Sequence, residues 1–86
     1  MPKTGRPEYD AALEATGLFA KDEPIFILRP GDLVAPNAVR HWAHMAYANG
    51  ANRDGIVQTA LDHADAMEAW QKEHGRKVPD LPGKGQ

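Results

Sequence analysis

PNAVRHWAHMAYANG, residues 36–50, followed by NRDGIVQTALDHADAMEAWQKEHG, residues 52–75, decides the fold of this chain. Pro36 suits the first turn of a helix, where its missing N–H would have no intrahelical partner. At about 100° per residue Val39, Trp42, Ala43 and Ala46 share one face, and Asn49-Gly50 ends the run. Trp42, in the middle of that apolar face, is expected in the core, where truncation to alanine would cost about 3–5 kcal/mol. The opposite arc gathers Arg40, His41, His44 and Ala48, with Met45 and Tyr47 at its borders. A longer helix follows, with Asn52 as its expected N-cap and Gly75 as its terminator. Its apolar stripe begins with Val57, Ala60, Leu61 and Ala64 and drifts to Met67 and Trp70. The drift predicts two packing neighbours, the preceding helix and a second surface. Together the two segments read as a helical hairpin.

Ahead of the hairpin, Pro7 to Thr16 reads as a short helix closed by Gly17, with Glu8 and Asp10 in the first turn, where carboxylates favour the helix dipole. Pro24-Ile25-Phe26-Ile27-Leu28 is the one β-like run, stopped by Arg29-Pro30-Gly31-Asp32. A single strand has no partner within the chain. It either packs as extended chain on the helices or pairs with the same strand of another copy. The expected fold is therefore mainly α: a short N-terminal helix, one extended apolar strand, then a helical hairpin with a long second helix. Residues 1–6 read as a flexible tail, 7–75 as a single small domain, and 76–86 as a Pro/Gly-rich charged tail.

Composition sets the scale of the core. Of 86 residues 42% are hydrophobic, but 14 of those are alanine, and Leu, Ile, Val and Phe together number 15. So thin a core in so short a chain predicts added stability from self-association. The formal charge of −2 excludes a strongly cationic coat for nucleic acid. No stretch is apolar enough to span a membrane, and the opening MPKTGRPEYD carries no leader-like apolar segment, so a cytoplasmic location is expected. Cysteine is absent, which removes disulfides, thiol catalysis and thiolate metal sites.

Several groupings bear on chemistry. His41 and His44, three apart on a helix, converge enough to share a metal, but a site needs further ligands and neither His63 nor His74 has the spacing to supply them. No metal and no cofactor are expected. The chain has no serine, and Thr4, Thr16 and Thr59 are its only aliphatic hydroxyls; no glycine-rich phosphate loop occurs either. No catalytic residue is assigned, and the chain is not expected to be an enzyme. Ala46, Gly50 and Ile56 fit the small-residue, glycine and β-branched positions of a helix-turn-helix. Against it, Asn49 is polar at a usually buried position, and residues 53–74 carry two basic and five acidic residues, a net −3. Arg29, Arg40 and Arg53, with His41, His44 and Tyr47, are instead the candidate partner- or ligand-binding set, because arginine, histidine and tyrosine combine apolar area with polar reach. Ile25, Ile27, Met67 and Trp70 are candidate interface residues.

The stretch Ile25 to Ala46 carries Phe26, Leu28, Arg29, Asp32, Ala35, Pro36, Val39, Trp42, Ala43 and Ala46 in a pattern that resembles small proteins of phage and prophage origin. Met67-Glu68-Ala69-Trp70 and Val78-Pro79-Asp80 extend the resemblance, which runs from about Pro24 to Leu81. It implies an origin rather than a chemistry: accessory proteins of this size are commonly non-enzymatic binders of a host component. The leading expectation is stoichiometric binding of a host protein. The alternatives are a helix-turn-helix-like DNA-binding regulator and a binder of a small anionic, nucleotide-like ligand.

Overall fold

The computed structural model describes residues 2–51 and 54–79. Three helices are present among them: α1 (Pro7–Glu14), α2 (Ala35–Ala48) and α3 (Ile56–His74). The described residues fall into two units, one reaching to Ile27 and one beginning at Leu28, so a boundary lies inside the segment read from sequence as one domain.

The first unit is built around α1. Pro7 occupies its first turn with Glu8 and Asp10, and Gly17 follows the helix end at φ +68°, a left-handed conformation that glycine adopts without strain. The residues read as a tail make specific bonds. Lys3 N–H donates to Glu23 C=O at 2.8 Å, and Ile25 N–H donates to Lys3 C=O at 2.8 Å. The Thr4 hydroxyl donates to Asp10 Oδ1 at 2.6 Å, Thr4 N–H bonds the same oxygen at 3.1 Å, and Pro2 is buried. Composition gave no sign of this, because the ordering comes from backbone pairing and the Thr4–Asp10 bonds rather than from a run of apolar side chains.

The expected apolar strand does not form. Among the described residues the Lys3 pairing is one isolated parallel bridge to Pro24, and Ile25–Leu28 runs on without regular strand structure. Isolation is the physical reason: β-propensity expresses packing against cross-strand neighbours, and a run with one bridge beside it has none to propagate. Phe26, at its centre, is 82% exposed.

The second unit is the hairpin. Asp32 Oδ1 accepts from Val34 N–H at 2.9 Å and so shapes the entry to α2, with Pro36 in the first turn. Asn49 and Gly50 close α2, Gly50 at φ +96°, and Ala51 N–H donates to Ala46 C=O at 2.9 Å. α3 opens at Ile56, later than an Asn52 cap would place it, with Gly55 in the N-cap position at φ +80° and Asp54 Oδ1 accepting from Ile56 N–H. Asn52 lies outside the described residues. The facing surfaces are small: Ala35, Ala43 and Ala64 are fully buried, Met67 is nearly so, and Val39, Ala46, Val57, Ala60 and Leu61 are half-buried. Alanine against alanine lets two helices approach closely, and that proximity leaves no space between them for an indole. Trp42, expected in the core, is accordingly 51% exposed.

The mouth of the hairpin is tied. Lys77 N–H donates to Gly31 C=O at 2.9 Å, Leu33 N–H donates to Lys77 C=O at 2.8 Å, and Asp32 and Lys77 form a parallel bridge. The buried Gln71 side chain donates from Nε2 to Asp32 C=O at 2.8 Å. Trp70 lies over Gly31, and its ring stacks on His74 with centroids 4.3 Å apart.

Candidate functional site

Of the candidate binding residues, the structure brings together those on α2. Spacings of four and seven residues set Arg40, His44 and Tyr47 on one side of the helix, with His41 towards the middle of the solvent arc. His41 and His44 are exposed, and Tyr47 is 61% exposed. α2 contains no carboxylate, so this arc consists of histidine, aromatic and small side chains.

Arg40 is different in kind. Its Nη2 donates to Asp65 Oδ1 at 2.8 Å and also to Glu68 Oε1, while Nη1 donates to Asn37 Oδ1 at 3.0 Å. The hydrogen bond to Glu68, then that to Asp65, holds the guanidinium above its ordinary pKa, and the reciprocal bond holds the Glu68 carboxyl below the ordinary glutamate value. Arg40 therefore links α2 to α3, and its fork is already occupied. The signal available in the sequence was the pair Asp65 and Glu68, three apart and so on one flank of α3.

The other candidates are dispersed. Arg29 is exposed in the loop before α2, and Arg53 lies outside the described residues. Ile25 and Ile27 are half-buried in the first unit. On α3, Met67 is 7% exposed and belongs to the core, whereas Trp70 is 40% exposed. Among the described residues no group of three or more metal-ligating side chains is placed to hold an ion, and no helix is long and apolar enough to cross a membrane.

A helix-turn-helix joins its helices by a turn of about three or four residues. Here residues 49–55 separate α2 from α3, and α3 carries Asp62, Asp65, Glu68 and Glu73 against Lys72. That is an unfavourable field for a phosphate backbone. Sequence reasoning missed the exposure of Trp42; the signal was the run of alanines at the true centre of the α2 face, which sets the indole at its edge.

Comparison of the chain with family models, curated proteins and solved structures gives no match.

Proposed function

We infer that the chain is a non-catalytic, stoichiometric binding protein of the phage accessory kind, acting in the host cytoplasm on a host protein through the solvent arc of α2. His41, His44 and Tyr47 are its contact residues, and Arg40 positions them by tying α2 to α3. The observation that carries the reading is the exposure of His44 and Tyr47 beside Arg40 on a helix without a carboxylate. A helix face whose only role is solvation is served by Glu and Lys; tyrosine is enriched where protein surfaces meet, and histidine adds a ring whose nitrogens donate or accept. The acidic balance of α3 favours a protein target over DNA.

The test is capture of host proteins on the immobilised chain, followed by titration of the purified captured protein. One partner should bind per chain, with affinity at least about tenfold weaker for His44→Glu and for Tyr47→Ala while helical circular dichroism is unchanged, because neither change opens a cavity. Undiminished binding by both variants, or a target that is modified rather than held, would refute the reading.

A further inference from the structure

The two flanks of the α2–α3 hairpin differ sharply in charge. One holds Arg40 with Asp65 and Glu68. Because the helices are antiparallel and this cluster fixes which flank is which, helical spacing of about 100° per residue assigns the other flank. Ala38, Trp42 and Met45 of α2 fall there, with Ile56, His63 and Trp70 of α3, and no Asp, Glu, Lys or Arg of either helix does. The large side chains stand well out: Trp42 is 51% exposed, Met45 52%, Ile56 40% and Trp70 40%. Among the described residues the buried hydrophobic core, by contrast, is three alanines and Met67. In a chain with 26% charged residues, an uncharged flank rich in Trp and Met has the composition of an interface centre rather than of a solvated helix surface.

We propose that a second copy of the chain docks on this flank, two hairpins meeting about a two-fold axis to give four helices around Trp42, Met45, Ile56 and Trp70 of both copies. Two features fit a second copy as the occupant. An isologous contact requires a surface complementary to itself, and a flank on which neither helix places a charge meets that condition without any pairing of opposite charges. The area is of the order that an interface needs. α2 is about 21 Å long, and with α3 alongside at about 9 Å the pair spans roughly 20 Å in width, so the flank covers about 400 Å² in flat projection. The half-exposed indoles and Met45 stand above that plane and raise the accessible area towards the roughly 600 Å² per copy at the lower end of stable interfaces. Four helices also close a bundle core that two cannot. This contact differs from pairing of two Ile25–Leu28 segments, and it leaves the His44 and Tyr47 arc open to another partner.

Both tryptophans of the chain lie on the flank, so intrinsic fluorescence reports on it directly. Light scattering at about 50 μM should give about 19 kDa, twice the chain mass of 9.4 kDa. Trp42→Arg and Met45→Arg should each return the single-chain mass with helical circular dichroism intact, weakening association by at least about tenfold. Phe26→Lys, in the extended segment, should leave the dimer unchanged. For the unmodified protein, dilution to about 0.1 μM should shift tryptophan emission to the red and raise iodide quenching about twofold, a reading that needs no variant to fold. A single-chain mass at 50 μM, concentration-independent fluorescence, or a dimer that survives Trp42→Arg and Met45→Arg but is lost in Phe26→Lys would overturn the proposal.

Discussion

Met67→Ala probes the side chain on which the two readings of this hairpin diverge. The sequence offers Met67 as a surface contact, whereas among the described residues it is the one large hydrophobic side chain buried with Ala35, Ala43 and Ala64, at 7% exposure. Truncation removes Cγ, Sδ and Cε from the core. At about 0.8 kcal/mol per buried methylene-sized group the transfer term is about 2.4 kcal/mol. A cavity left between close helices adds about 1 kcal/mol, and the better helix propensity of alanine returns a few tenths. The expected loss is therefore about 3 kcal/mol, or a fall in Tm of about 12–24 °C for a chain of this size. Urea unfolding followed by circular dichroism measures it as a lower midpoint at unchanged slope. Met67→Leu, nearly equal in volume, should cost less than about 1.5 kcal/mol. A loss below about 1 kcal/mol for Met67→Ala would refute the packing argument, the more so if partner binding fell instead.

Trp42→Ala, measured at submicromolar concentration, should cost only about 1–2 kcal/mol, because half of the indole is already in water; a loss of 4 kcal/mol or more would return Trp42 to the core. Gln71→Ala removes the donor to Asp32 C=O and should cost about 1 kcal/mol, with faster amide exchange at Leu33 and Lys77, whose bonds flank that carbonyl. Equal exchange in both proteins would show that the glutamine does not hold the mouth. For Glu68 the folded pKa is lowered, so the unfolded chain takes up the proton first as pH falls; the stabilisation is full above the ordinary glutamate value of 4.5 and is lost below it. Thermal melts from about pH 6 to about pH 3 should slope less in Glu68→Gln than in the unmodified protein, and parallel slopes would contradict the pairing.

The sequence carried the helices and, apart from the start of α3, their ends because those rest on local chemistry: Pro7 and Pro36 in first turns, Gly17, Gly50 and Gly75 beyond last ones. It misled at Ile25–Leu28, where β-branched residues announce a strand and only a distant partner could make one. It misled at Trp42 because a hydrophobicity pattern weighs an indole above an alanine, while close helix packing selects the alanine. The candidate site was legible in part. His41, His44 and Tyr47 are where amphipathic spacing puts them, but the occupied fork of Arg40 depends on Asp65 and Glu68, which are 25 and 28 residues away along the chain.

The tie between Lys77 and the Gly31–Leu33 loop bears on how the hairpin responds to tension. The two segments run parallel, so a pull on the chain before Gly31 and after Lys77 draws them past one another along their length. Both hydrogen bonds, at 2.8 and 2.9 Å, are then loaded together in shear rather than opened one after the other. With the Gln71 bond to Asp32 C=O they take up the load ahead of the apolar contacts between α2 and α3. The hairpin thus sits behind a mechanical clamp, and its resistance to stretching is governed by the rate at which that clamp ruptures rather than by the depth of its alanine core.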